Sequence, residues 1–398
     1  MTTLSRAGGA MPEKRIAVPA KASARDTRLD VLRAIALIMI FVNHVPGNVF
    51  EMFTSKNFGF SDASEAFVLI SGISVALAYG RRFNSGDRWE ASQKVTRRAM
   101  TLYFVHLALT VATLVLFIGG AFLFATPALM EQINIAPLLD NLQAGIPAVI
   151  LLGHQLGYNN ILSLYAVLLM ITPLILWMEA RSPIALLAVS FLIWLGVGIL
   201  QIAPRNMLDS GIWFFNPLSW QFIYVIGIVA MQHVRRGGKI LRHPLLIAVA
   251  GAYALLSLLW VMLSWWHIDV SLGLPAVLTG FNKTYLSAPR LLHVLSITYL
   301  IIAIRPVSSV LRLSPDNPLT VVGRHGLSIF AAGTVLAMGG QVLTQVYDQA
   351  PLLSAFYVAA GTLALFAIAF YLEAEKARAR QKGAKVDRPA EGAFVVGR

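Results

Sequence analysis

The chain has 398 residues, 57% hydrophobic and 13% charged, with a mean hydropathy of +0.69. Soluble domains carry about 25% charged residues, so a water-soluble globular fold is excluded. Cysteine is absent, which excludes a disulfide framework and a thiol nucleophile, and the net charge of +13 is met by basic loops facing anionic lipid and requires no nucleic acid.

Residues 1–27 are polar and basic without an apolar core. They read as a flexible basic cytoplasmic tail and not as a cleavable signal peptide. Ten apolar segments follow, at roughly 29–49, 62–80, 99–124, 160–178, 184–202, 217–233, 244–266, 288–304, 320–345 and 352–372. Each is near the length of about 20 residues that crosses a bilayer. The pattern predicts an all-α integral membrane protein: a polytopic helical bundle of about 10 transmembrane helices in one domain, residues 28–374. Residues 375–398 read as a second flexible basic tail. Between the third and fourth segments, residues 125–159 contain Pro127, Pro137 and Pro147 and are expected as short helices lying along the interface. No internal repeat stands out, so that signal gives no support to an inverted-repeat transporter.

Basic residues set the orientation. Alternate connections, with both tails, hold 28 of the 32 Lys and Arg residues; the other connections hold only Lys56, Arg205, Lys283 and Arg290. Both termini are therefore expected in the cytoplasm.

Charged groups within hydrocarbon spans are costly and point to function. Asp30 and Arg33 precede nine apolar residues, Ala34 to Val42, and Asn43 and His44 follow them. Eleven helical residues bring His44 to within roughly 20° of Arg33, about 16 Å further along the axis. The plain reading is an interfacial arginine and a hydrogen-bonded histidine at a helix end. The cluster Asn43, His44, Pro46, Gly47 and Asn48 argues instead for a polar pocket, because Pro46-Gly47 breaks the helix and frees backbone groups that lipid cannot satisfy. Asp62 and Glu65 have the spacing of a capping box. They either only start the second helix or, since Glu65 sits one turn into the span, also aim a carboxylate at an imidazole and stabilise its cation. Arg81 and Arg82 close the second segment, and Arg97 and Arg98 open the third. They are either topological charges or a cluster for the phosphates of a donor, since arginine pairs phosphate bidentately. No glycine-rich phosphate loop is present.

Further along, Trp213, Phe214, Phe215 and Trp220 read as an interfacial aromatic belt, or as stacking surfaces for sugar rings beside Asn216. Trp265, Trp266 and His267 read as belt. Arg290 and His293 are one turn apart near the outer start of the eighth segment and form a second polar site. Arg324 and His325 lie near the inner start of the ninth. His106 reads as a packing histidine. No metal-ligand spacing occurs, so no metal is inferred.

The stretch RLDVLRAIALIMIFVNHVPGN, followed by NFGFSDASEAFVLISG, resembles the OpgC-type membrane acyltransferases, which succinylate osmoregulated periplasmic glucans. These in turn resemble acyltransferase family 3 and the heparan glucosaminide acetyltransferases. Those families open on D-x-[LF]-R-[GA] with a histidine or equivalent position eleven residues after the arginine; here the residues are Asp30, Arg33 and His44. ILSLY at 161–165, FNPLSWQ at 215–221, PRLLHVLSITYL at 289–300 and GRHGLSIF at 323–330 extend the resemblance over nearly all of 28–372. One departure is Asn159-Asn160, where the family pattern has an aspartate.

The resemblance implies a multi-pass protein of the bacterial inner membrane. It implies O-acyl transfer from cytoplasmic acyl-CoA, succinyl-CoA in these relatives, to hydroxyls of a periplasmic glucan, with no permanently bound cofactor. On that reading His44 is the general base or the acyl carrier, and Glu65 or Asp62 orients it. Arg33, Arg81, Arg82, Arg97 and Arg98 would hold the donor. Asn43, Asn57, Ser61, Trp213, Asn216, Trp220, Arg290 and His293 would hold the acceptor. The partners are the lipid bilayer, acyl-CoA and the glucan, with no nucleic acid; a homo-oligomer is left open. A transporter or flippase using the same polar groups, and a sensor without turnover, are the alternative readings.

The charge asymmetry makes a topological prediction. Single-cysteine labelling, clean in a chain without native cysteine, should place Ser85→Cys and Ile240→Cys inside and Asp140→Cys and Ser210→Cys outside. Inside labelling at 140 would break the ten-span arrangement.

Overall fold

The computed structural model describes residues 26–348 and 350–386. Of the basic tails expected at 1–27 and 375–398, residues 1–25 and 387–398 lie outside the described residues. Each of the ten apolar segments contains one long helix: α1 Arg28–Asn43, α2 Ala63–Asn84, α3 Arg88–Leu123, α4 Asn160–Arg181, α5 Pro183–Leu200, α6 Pro217–Arg235, α7 Pro244–Met262, α8 Ala288–Ala303, α9 Gly326–Val346 and α10 Pro351–Val386. Seven of them (α2, α3, α4, α5, α7, α9 and α10) are long and apolar enough to cross a membrane. The other three are shorter or more polar: α1 and α8 have 16 residues each, and α6 carries Gln221, Gln232 and His233. The protein is an all-helical, multi-pass membrane protein, and among the described residues the one β feature is an isolated bridge between Arg205 and Ile212. Residues 125–159 form the expected short helices, at Pro127–Glu131, Ala136–Asp140 and Leu142–Ile150. α10 continues to Val386, so the part of the expected tail from 375 to 386 is helical.

Local sequence sets the helix starts. α5, α6, α7 and α10 each open on a proline, whose missing N–H would have had no partner there. The side chains of Ser182, Asn216 and His243 accept from the exposed amides of α5, α6 and α7. α2 opens on a complete capping box: Asp62 accepts from the Ser64 amide and Glu65 accepts from the Asp62 amide.

Burial sorts the helices. The apolar windows of α2 and α4 are 61% buried and that of α9 is 50%, against 28%, 17% and 28% for α5, α7 and α10. The first group therefore forms the interior and the second faces lipid. α2 packs along α6 through glycines on both sides. A Cβ on Gly72 would stand 2.1 Å from the Tyr224 carbonyl oxygen, and one on Gly227 would stand 2.5 Å from that of Leu69. Small residues let membrane helices approach this closely.

Two irregular stretches have their freed backbone groups satisfied by protein, as a membrane interior demands. At the end of α1, Asn48 Nδ2 donates to the Val42 and Val45 carbonyls at 3.0 and 2.5 Å, and Gln341 Nε2 donates to the His44 carbonyl at 2.9 Å. The break at Pro46-Gly47 is thus closed by side chains of α9 and of the turn itself. Midway along α2 the helix widens to a π turn at Ala76–Gly80, and Arg235 of α6 donates to the Ala76 and Leu77 carbonyls at 2.6 and 3.1 Å. Such turns often mark functional sites.

The α2–α6 crossing predicts a stability effect. Gly72→Val should destabilise the purified protein by about 1–3 kcal/mol, as overpacking does. Gly251, on α7 with open space around its Cα, is the control. Gly251→Ala should leave thermal unfolding in detergent unchanged or raise it slightly.

Candidate functional site

Two cavities lie along α1, α2, α4 and α9, and together they sort the helix ends. The first, of about 180 Å³, takes Asn43 and His44 from the end of α1, Asp62 to Ser64 from the start of α2 and Asn160 from the start of α4. It adds Phe214 and Phe215 from before α6, Lys283 from before α8, and Lys56. It therefore opens toward the connections poor in basic residues, and is called the outer cavity here. The second, of about 450 Å³, takes Arg33 from the start of α1, Ser71 to Tyr79 from the later turns of α2, Arg98 from α3, and Arg324 and His325. It lies toward the connections rich in basic residues and is called the inner cavity.

In the outer cavity, Nδ1 of His44 lies 2.5 Å from the Ile40 carbonyl. A carbonyl accepts only, so Nδ1 carries the proton, and in the neutral ring the lone pair is on Nε2. That is the tautomer a general base needs. The carboxylates have other tasks. Glu65, fully buried, receives Arg290 on Oε1 at 2.6 Å and the Asp62 amide on Oε2 at 2.9 Å. Asp62 holds the Ser64 amide and hydroxyl on Oδ1, and Lys283 and Arg290 on Oδ2 at 2.5 and 3.3 Å. The expectation that Glu65 stands behind the imidazole is corrected: both of its oxygens are taken up by Arg290 and the helix cap. Two carboxylates and two cations form a network of zero net charge, which is what lets them be buried.

Several residues expected to hold an acceptor are instead structural. Asn216 caps α6 and donates to the Ile202 carbonyl at 2.7 Å. Trp220 is fully buried, and its indole N–H donates to the Lys283 carbonyl at 3.0 Å. Trp213 is buried away from the cavity, where Phe214 and Phe215 provide the aromatic wall. The Ser61 amide and hydroxyl both donate to His293 Nδ1, at 3.2 and 2.7 Å, which locks that ring beside Gly59 outside the cavity. Asn57 donates to the Glu51 carbonyl at 2.8 Å. Asn43 does line the cavity and accepts from the Thr54 hydroxyl at 2.6 Å. At the departure from the family pattern, Asn159 is buried and donates to Thr113 Oγ1 at 2.9 Å, whereas Asn160 lines the cavity.

Sequence reasoning missed Lys283 and Lys56. Lys283 is held by Asp62 and lies 5.7 and 5.5 Å from the ring centres of Phe214 and Phe215. Lys56 pairs with Glu51 at the rim. Burial pulls the Lys56 ammonium below the usual lysine range; Asp62 opposes the shift and the Lys283 ammonium adds to it. A signal for both was present. Three of the four basic residues on the basic-poor side (Lys56, Lys283 and Arg290) meet at this one site.

Of the five arginines expected to hold a donor, Arg33 and Arg98 line the inner cavity. Arg81, Arg82 and Arg97 are exposed outside it, and Arg82 lies 3.7 Å from Glu90. Arg324 and His325 take their place in the lining. Glu373 of α10 accepts from both, at 2.7 and 2.8 Å, and Arg324 also donates to the Pro315 carbonyl. Arg33 donates to Asp30, the Gly323 carbonyl and Ser74 at 3.1, 3.0 and 2.6 Å, so it clamps three segments together. Arg98, by contrast, has no hydrogen bond or ion pair among the described residues.

Phe330 lines both cavities. It is buried and stacks on Phe67 with ring centres 6.1 Å apart and planes 24° apart; Phe67 in turn meets Tyr165 at 5.5 Å. One aromatic layer separates the histidine side from the arginine side.

Comparison with known proteins decides the family. The model of the OpgC protein family matches residues 25–377. The chain belongs to the OpgC protein family. No curated protein matches it. The OpgC match takes in every residue that lines either cavity, and reaches Glu373, which ties Arg324 and His325 together. Among the described residues no group of His, Asp and Glu could hold a metal ion.

The ion network predicts strong coupling. Arg290→Gln should destabilise the protein by about 3–5 kcal/mol, because it strands a buried carboxylate. Glu65→Gln in the same chain should recover most of that loss. A double-mutant cycle on thermal unfolding measures it, and additive losses would refute the pairing.

Proposed function

We propose that this protein is a transmembrane O-acyltransferase that carries an acyl group, succinyl, from cytoplasmic acyl-CoA to hydroxyls of a periplasmic glucan in the bacterial inner membrane. The observation that carries the reading is the pair of cavities meeting at Phe330, basic on one side and bearing His44 on the other. A donor and an acceptor that never share a compartment need that division. Ten spans with both termini in the cytoplasm would suit it: one helix falls on each of the ten apolar segments, seven of them long and apolar enough to cross a membrane, and the basic residues divide 28 to 4.

Arg98 suits the donor's phosphates best, since no group among the described residues neutralises it, and Arg324 and His325 line the same cavity. Arg33 shapes the same wall. The thioester arm reaches the outer cavity between α2, α4 and α9 once the aromatic layer parts. There His44 Nε2 takes the proton of a sugar hydroxyl as its oxygen attacks the thioester carbonyl. The new C–O bond forms, the C–S bond breaks, and the proton passes from the imidazolium to the departing thiolate. In the covalent variant the acyl group first rests on Nε2 and a sugar hydroxyl then displaces it. Asp62 and Glu65 support the reaction by fixing Lys283 and Arg290.

The test is release of CoA by purified protein in detergent, with acyl-CoA and glucan supplied. His44→Ala should remain folded and bind acyl-CoA, and transfer should fall by about 10²–10⁴-fold if His44 is only a base, or to background if it carries the acyl group. Activity should also fall with pH through the imidazole titration, because only the neutral ring accepts a proton. Near wild-type transfer by His44→Ala would remove this assignment. Solute movement across vesicles without CoA release would favour the transporter.

A further inference from the structure

A third recess, of about 510 Å³, lies outside both cavities at the basic-rich end of the bundle. α2 ends there at Phe83, α3 begins there with Arg88 and Trp89, and α4 brings Pro173, Leu174 and Trp177. Phe83 is buried and closes the recess inward. The other walls turn outward: Trp89 is 77% exposed, Leu174 57% and Trp177 42%. Exposed apolar surface around a recess marks a place where another molecule binds, and beside a membrane-spanning helix the neighbouring molecule is lipid. Trp177 stands at the end of the fourth apolar segment, the depth of lipid headgroups. Leu174 and Pro173 lie about one turn, roughly 5 Å, deeper. The recess therefore runs from headgroup depth into hydrocarbon.

Arginines border its polar end. The Arg88 guanidinium lies 5.9 Å from the centre of the Phe83 ring. That of Arg181, one turn beyond Trp177, lies 3.7 Å from the Trp177 ring. An aromatic face steadies a guanidinium and leaves the N–H groups on its edge able to donate. Among the described residues neither arginine pairs with a carboxylate: Glu90 is taken by Arg82 and Lys94, and Glu179 by Arg236. Topology alone asks for basic residues at this depth. It does not ask for two guanidiniums held on rings that line one recess. Basic pockets between spans on this face suit anionic headgroups, and a zwitterionic headgroup would bring no net charge to meet them. We propose that the recess binds one anionic phospholipid, its headgroup at Arg88 and Arg181 and an acyl chain along Leu174 and Pro173. The bound lipid would join the end of α2, the start of α3 and the end of α4, and this role does not depend on the transfer reaction.

The test places the full-length protein in detergent micelles carrying equal amounts of phosphatidylglycerol and phosphatidylcholine with the same acyl chains. Retained lipid is counted by native mass spectrometry. Wild type should keep one phosphatidylglycerol in preference to phosphatidylcholine. Arg88→Gln and Arg181→Gln should each lower that preference by about 5-fold, the weight of one basic residue beside an anionic headgroup. Both side chains are exposed, and circular dichroism checks that the variants fold; if one does not, the other carries the comparison. Arg82→Gln removes the same charge from the same face but outside the recess, and should leave the preference nearly unchanged. Glycerol phosphate, a headgroup without chains, should not displace the lipid. Equal losses in all three variants would overturn the site and leave only a diffuse attraction of the basic face. Equal retention of the two lipids would also overturn it, as would displacement by glycerol phosphate, which would make it a site for a free phosphate.

Discussion

Two carboxylates buried at the start of α2 have to be neutralised, and much of the outer half of the bundle follows from that requirement. Glu65 is fully buried and Asp62 partly so. Arg290 comes from α8 and Lys283 from the loop before it, so the ion network ties α2 to a helix far along the chain. α6 joins through Trp220, whose indole fixes the Lys283 backbone. A buried ion pair adds little net stability over an apolar alternative, yet breaking one costs several kcal/mol. The arrangement therefore serves less to stabilise the bundle than to hold charged groups at fixed positions beside His44.

The aromatic layer at Phe330 answers a second constraint. A continuous polar channel across a membrane would leak ions. Phe330 and Phe67 stack where the two cavities approach each other, and apolar constrictions exclude water. Glycines lie near this layer: Gly326 of α9 faces the Arg33 side chain, and Gly333 faces Leu365 and the Cβ of Phe41. The π turn of α2 lies alongside, in the wall of the inner cavity. Both interior helices that carry the layer thus depart from plain, fully side-chained helix close to it.

The sequence made the spans and the charged residues inside them legible, because hydropathy and the cost of intramembrane charge are local properties. His44, Asp62 and Arg33 could be picked out in that way, and each lines or edges a cavity. What sequence could not supply was pairing. Glu65 read equally well as a cap or as a partner of an imidazole, and only the position of Arg290, 225 residues away, decides between them. Trp220 and Asn216 have the composition of a sugar platform, but a buried indole N–H and an amide both need hydrogen-bond partners, and here those partners are backbone carbonyls. Their outward look in the sequence came from lying at a helix start, where caps and aromatic belts share the same residue types.

The arginines and lysines make the same point from the opposite side. On the basic-rich face a positive charge is cheap and frequent, so position along the chain says little about its task. Arg82 faces Glu90 in solvent, Arg33 clamps three segments, and Arg98 opens onto a cavity with no protein acceptor among the described residues. Burial and pairing separate these roles; residue type does not. On the other face topology selects against basic residues, so each one that persists there answers to a local demand. Lys56, Lys283 and Arg290 meet such a demand together, around Asp62 and beside His44. Scarcity is thus the stronger sequence signal in a membrane protein: a cation where the orientation rule disfavours one carries more information than a cluster where the rule supplies many.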